Sequence, residues 1–217
     1  MPHDAPRSKV ESTRANGAEI IFYDRLKDDR EALARRIASE RGATVAPPFD
    51  HPWIIAGQGT TALELLDQVS DLDALVVPIG GGGLISGCAI AACALRPGLR
   101  VFGVEPADGN DTFLSLQAGR RVQIPPPQTI ADGLRSQAPG ELTFPVVQSL
   151  VEDVILVSDA EIREAVRFLL TRLKILVEPS GAVGAAALLA HKLPAGIGRA
   201  GVILSGGNVD VEFLASV

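Results

Sequence analysis

A chain of 217 residues, 47% hydrophobic and 21% charged, is long enough to bury a core of its own. Its net charge of −6 and the lack of any strongly basic stretch argue against nucleic acid as a partner. The longest apolar stretch, residues 80–95, is rich in Gly and Ala and falls short of the roughly 20 residues of a membrane span, so no membrane is expected.

Taken in chain order, helical patterns alternate with short β-branched runs. A helix is predicted over residues 5–16, a strand over 18–23 and a helix over 28–41. Residues 45–53 (VAPPFDHPW) hold three prolines and no periodicity, and read as a crossing between two subdomains. Beyond it come a helix at 60–69, a strand at 74–79, a helix at 84–95 and a strand at 100–104. A second Pro-rich crossing at 124–127 precedes a strand at 154–157. The next helix, 159–173, has its start marked by Ser158 with Glu161 three residues later, a capping box. A helix at 181–191 and a strand at 201–204 complete the series. Such alternation predicts an α/β fold, a parallel twisted sheet covered by helices. The expected division is a small α/β subdomain over residues 1–53 and a large one over 54–217. The opening residues lack the order of a signal peptide. Cys88 and Cys93, five apart in one apolar segment, read as small buried thiols, in keeping with a reducing cytoplasm.

The most informative local feature is the run VVPIGGGGL at residues 76–84, between an apolar strand and an Ala-rich helix. Four consecutive glycines cost about 0.5–1 kcal/mol each in backbone entropy relative to alanine, so a compensating role is expected. Without Cβ atoms, successive N–H groups can turn inward as an anion nest, and the helix that follows adds its unpaired N–H groups and positive dipole end. The alternative is a tight, ligand-free turn from strand to helix. No Gly-Lys-Ser/Thr follows, and the G-x-G-x-x-G order is lacking, so a phosphate monoester fits better than ATP or NAD. On their own residues, Glu105 and Asp111 read as solvated loop acids, Glu178 as a carboxylate at a helix start, and Ser205 as a turn or capping serine. His3, His51 and His191 are scattered and read as surface residues.

Seven segments then line up in order: residues 1–9 (MPHDAPRSK), 55–60 (IAGQGT), 80–84 (GGGGL), 103–111 (GVEPADGND), 129–133 (TIADG), 177–182 (VEPSGA) and 205–210 (SGGNVD). In this order and spacing the chain resembles the threonine dehydratase/serine racemase branch of the fold-type II pyridoxal-phosphate enzymes, whose sheet is that of tryptophan synthase β. The resemblance implies that the N–H groups of Gly80, Gly81, Gly82, Gly83 and Leu84 hold the phosphate of pyridoxal 5'-phosphate. It places Ser205 at the pyridine nitrogen, Glu178 near the ring, and Asp132 and Gly133 on the substrate side. It also assigns Glu105, the carbonyl of Gly109 and Asp111 to a divalent cation, Mg2+ or Ca2+. The activity implied is dehydration of L-threonine or L-serine to a 2-oxo acid and ammonia, with serine racemisation as the alternative and a homodimer as the assembly. The family's Ser-x-Lys-x-Arg-Gly segment, with the lysine that binds the cofactor covalently, precedes the Met-Pro-x-x-Ala-Pro element. It does not occur in these 217 residues, and Lys9, Lys27, Lys174 and Lys192 stand in other contexts. The expectation is therefore an N-terminally truncated chain with no catalytic residue of its own, and a non-catalytic fragment or partner subunit is the reading from another class.

Overall fold

The apolar strand segments decide the architecture. All five residues of β1 (Ala74–Pro78) are buried, as are all but the first of β2 (Arg100–Pro106). Strands without an alternating polar face must be covered on both sides, which is the condition of a parallel sheet between helix layers. The computed structural model describes residues 1–217 and shows that arrangement. With β3 (Asp153–Val157) and β4 (Ala200–Val202) the strands form one sheet in the order β3-β2-β1-β4. Every pairing is parallel, with Val76 opposite Phe102 on one side and Val202 on the other.

The helices are α1 (Arg7–Ala15), α2 (Arg30–Arg41), α3 (Pro52–Gln68), α4 (Gly83–Leu95), α5 (Asp111–Ala118), α6 (Thr143–Leu150), α7 (Asp159–Phe168), α8 (Pro179–Leu189) and α9 (Val211–Leu214). None is long and apolar enough to cross a membrane. The chain divides into two compact units, one of Met1–Pro47 with Asn208–Ser216 and one of Pro48–Gly207 with Val217. Where the sequence reading divides the chain once, after residue 53, the structure draws residues 208–216 into the first unit. Within it the Asp210 carboxylate accepts from the N–H groups of Arg7 (3.2 Å) and Ser8 (2.8 Å), so a residue about 200 positions away caps the first turn of α1.

Several predicted elements change on folding. Residues 18–23 are not a strand: only Pro2 pairs with Tyr23, as an isolated parallel bridge, and a strand needs a continuous partner. The helix expected at 60–69 begins at Pro52, because proline suits a first helical position and the His51 ring nitrogen accepts from Trp53 N–H at 3.2 Å. The capping box at Ser158 is present, but α7 gives way at Phe168 to a π turn over Leu169–Leu173, ended by Lys174 at φ 60°. Cys88 is buried, which pushes its thiol up to about 11, whereas Cys93 is only partly buried; both are free. Helices α5 and α6 had no local signal. Their first turns are capped from a distance, α5 by Glu105 and α6 by Asp50.

Helices α3 and α4 touch backbone to backbone. A Cβ on Gly87 would stand 2.2 Å from the Ile55 carbonyl oxygen and 2.5 Å from Gly59 N, whereas one on Gly57 would meet nothing within 4 Å. Gly87→Ala is therefore expected to destabilise by about 1–3 kcal/mol through overpacking. Gly57→Ala should be neutral or stabilising by up to about 1 kcal/mol, since it only restricts an exposed helical site. Thermal denaturation followed by circular dichroism separates the two; equal effects would contradict the backbone contact.

Candidate functional site

Because all four strands run in one direction, the loops that leave their carboxyl ends share one edge of the sheet. The glycine loop leaves β1 there. Gly82, at φ 93°, occupies the N-cap of α4 with no side-chain cap, and the first helical bond runs from Ser86 N–H to the Gly82 carbonyl. No hydrogen bond within the chain takes up the N–H groups of Gly81, Gly82, Gly83 and Leu84. Four donors at the positive end of a 13-residue helix could hold an anion. The glycines also answer to a second constraint. A Cβ on Gly81 would fall 2.3 Å from the Phe49 ring, so the aromatic ring lies directly against the loop backbone.

The neighbouring loops gather around this one. A Cβ on Gly80 would approach the Gly133 carbonyl oxygen at 3.3 Å, so Gly133 borders the loop, and its N–H donates to Ser180 Oγ at 2.9 Å on the first turn of α8. The segment leading into Gly133 is held by Asp159, whose carboxylate accepts from Thr129 Oγ1 (2.5 Å) and Ile130 N–H (3.1 Å). Glu178, largely buried, is the N-cap residue of α8. Its N–H donates to the Gly206 carbonyl at 3.0 Å, and its Oε1 fills the space of a Gly206 Cβ. Ser205, next to Gly206, is exposed beyond β4, the sheet neighbour of β1. Gly80–Leu84, Gly133, Glu178 and Ser205 thus collect around the ends of β1 and β4, with Asp132 half-buried beside Gly133. Phe49, Asp50, Thr143 and Ser180 join them without having been legible in the sequence. Of the lysines, Lys192 pairs with Glu161 at 2.8 Å and Lys27 with Asp24 at 3.3 Å.

The acids expected at a cation lie at the end of β2. Glu105 is fully buried, and its two oxygens accept from the N–H groups of Thr112 (3.0 Å) and Phe113 (2.9 Å) in the first turn of α5. Asp111, the first residue of α5, is also fully buried, and neither of its carboxylate oxygens has a partner. Burial raises both carboxyls well above the usual carboxylate range, and the charge of Glu105 raises Asp111 further. These are not solvated loop acids. No cluster of three His, Cys, Asp or Glu side chains occurs, and the two carboxyls of Glu105 and Asp111 are the acidic groups here. Orphaned, buried carboxylate oxygens fit a hard divalent cation, which would supply the countercharge that the chain does not.

The Phe49–Gly81 contact is open to a double-mutant cycle. Gly81→Ala is expected to cost about 1–3 kcal/mol because the ring must move, and Phe49→Ala in the same chain should recover part of that cost. Additive losses in thermal unfolding would mean that the ring does not constrain the loop.

The sequence profile described as "Pyridoxal-phosphate dependent enzyme" matches residues 1–206. The L-threo-3-hydroxyaspartate ammonia-lyase of Saccharomyces cerevisiae is 49% identical over 217 residues, covering 100% of this chain and 67% of that protein. The serine racemase of Schizosaccharomyces pombe is 48% identical over 212 residues, 98% of this chain and 66% of the relative. Among solved structures, maize serine racemase superposes with a TM-score of 0.92 at 44% identity, covering 99% of this chain and 67% of that one. The serine racemase of Dictyostelium discoideum superposes with a TM-score of 0.85 at 40% identity, covering 97% of this chain and 67% of that one. The chain thus spans about two thirds of the length of the relatives it matches. With its parallel sheet, its glycine loop and a profile match over nearly its whole length, the chain belongs to the family of pyridoxal-phosphate dependent enzymes.

Proposed function

We propose that the protein is a pyridoxal-phosphate-dependent ammonia-lyase, a dehydratase of L-threonine or L-serine. The observation that carries this reading is the set of four unclaimed N–H groups at the start of α4, in a chain whose relatives include ammonia-lyases at 44–49% identity. The fit of the cofactor rests on the same donors, which suit a phosphate dianion, and on the glycine backbone that leaves it room.

Bound pyridoxal phosphate supplies an electron-withdrawing ring that acidifies the Cα–H of an amino acid. The chain's own groups bind and orient. The N–H groups of Gly80, Gly81, Gly82, Gly83 and Leu84 would hold the phosphate. Ser205 would meet the ring nitrogen with a neutral hydroxyl, leaving that nitrogen without a full positive charge, and Glu178 would stand beside the ring. Asp132 and Gly133 would line the substrate side. Glu105, the Gly109 carbonyl and Asp111 would hold Mg2+ or Ca2+, tying the end of β2 to the start of α5. None of the 217 residues is assigned the Cα proton transfer. The balanced reaction converts threonine to 2-oxobutyrate and ammonia, and serine to pyruvate and ammonia. A homodimer belongs to the same proposal. Serine racemisation is the second reading, favoured by the 48% identical racemase and the maize structure.

Incubation with pyridoxal phosphate, followed by assay of 2-oxo acid from L-threonine, L-serine and L-threo-3-hydroxyaspartate and of D-serine from L-serine, decides among these. A 2-oxo acid as main product supports the lyase, and D-serine as main product supports the racemase. Cofactor retention with neither product would leave a non-catalytic binding chain. Cation binding has its own readout: Mg2+ or Ca2+ in hundredfold excess over its dissociation constant should add about 2.7 kcal/mol of stability. The melting temperature should rise by roughly 2–4 °C per kcal/mol for a chain of this size. Asp111→Asn should abolish that rise, and a variant that keeps it would place the cation elsewhere.

A further inference from the structure

We infer that Thr143 is a positioning residue for the anion-binding loop, itself set in place by Asp50. The inference rests on the reading of Gly80–Leu84 as a phosphate site and concerns how that site is shaped. Thr143 is fully buried, and its Oγ1 donates to the Gly81 carbonyl at 2.7 Å; the Gly140 N–H donates to the same oxygen at 3.2 Å. The peptide joining Gly81 to Gly82 is trans, so its C=O and N–H point in opposite directions. Two donors that hold the carbonyl toward α6 therefore turn the Gly82 N–H away from α6, as one of the four donors left for an anion. A run of glycines has little torsional preference of its own, and without this anchor the peptide plane is free to rotate.

Asp50 fixes the anchor. Its Oδ1 accepts from Leu142 N–H (2.9 Å) and Thr143 N–H (3.3 Å), and its Oδ2 accepts from Glu141 N–H (2.9 Å). Ser86 Oγ, one turn into α4, donates back to the Thr143 carbonyl at 3.3 Å. The order of action runs from the Asp50 carboxylate through the turn at 141–143 and the Thr143 hydroxyl to the Gly81–Gly82 peptide. Thr143 acts on an anion only through that peptide.

The test compares two probes that differ only in the phosphate. Equilibrium dialysis of the full chain against pyridoxal phosphate and against pyridoxal is run for the wild type, Thr143→Val and Thr143→Ser, with folding verified by far-UV circular dichroism. The wild type should prefer pyridoxal phosphate. Thr143→Val should weaken pyridoxal phosphate about tenfold, the scale of one lost hydrogen bond, and leave pyridoxal unchanged. Thr143→Ser, which keeps the hydroxyl, should bind as the wild type does. A Val variant that binds pyridoxal phosphate normally, or loses both probes alike, overturns the role of Thr143 while the phosphate site stands. A wild type without preference between the probes overturns the phosphate reading itself, and this inference with it. Should Thr143→Val not fold, Asp50→Asn carries the comparison: loss of pyridoxal phosphate alone supports the relay, and unchanged binding or equal loss of both probes overturns it.

Discussion

The requirement that both faces of a parallel sheet be buried underlies everything else in the larger unit. Apolar strands such as β1 cannot face water, so helices must cover them, and each crossover returns the chain to start the next strand in the same direction. The four carboxyl ends then lie along one edge. Residues 80–84, 106–111 and 203–206, remote in sequence, come to that edge through strand direction, and strand order sets those after β2 and β4 on either side of the glycine loop. Helix α8, with Gly181, Ala182, Gly184, Ala185, Ala186 and Ala187 all buried, shows how small side chains allow a helix to sit close on this sheet.

Carboxylates that lie outside the segments they cap organise the loops at that edge and elsewhere. Asp50 caps the turn into α6, Glu105 caps α5, Asp159 holds the 129–130 segment and Asp210 caps α1. Each joins a negative side chain to backbone N–H groups that a helix start or turn leaves over, an interaction stronger than a neutral hydrogen bond. The effect is to make the shape of these loops depend on tertiary contacts.

Asp111 departs from this pattern. Its carboxyl is as buried as that of Glu105 but has no donor, and the two acids lie close enough at the end of β2 for the charge of Glu105 to raise Asp111. Burying a carboxylate without a partner is costly, and the usual remedies are a proton or a cation. The chain offers neither a lysine nor an arginine to these oxygens. The glycine loop stands in the opposite condition, with donors in place of acceptors left over. Spare donors at one place thus face spare acceptors at the other, and Leu134 borders both: its side chain lies near Gly80 and its carbonyl near Gly109.

The sequence by itself determined the fold class, four of the five expected strands, the start of α7 and the position of the glycine loop. Each of these rests on a pattern confined to a few adjacent residues: an apolar run, a capping box, a string of glycines. The tertiary structure decided the rest. Residues 18–23 remain without a ladder because a strand is defined by its partner, and α5 and α6 have their first turns capped by carboxylates outside the helices, Glu105 from the end of β2 and Asp50 from more than 90 residues upstream. Gly81 has to be glycine partly on account of Phe49, and the Gly82 N–H is turned by Thr143 from about 60 residues downstream. No local pattern marks Phe49, Asp50 or Thr143, since what they do depends on a backbone that reaches them only through the sheet. Local chemistry is written in the sequence, whereas the direction in which a donor or carboxylate points is settled by packing.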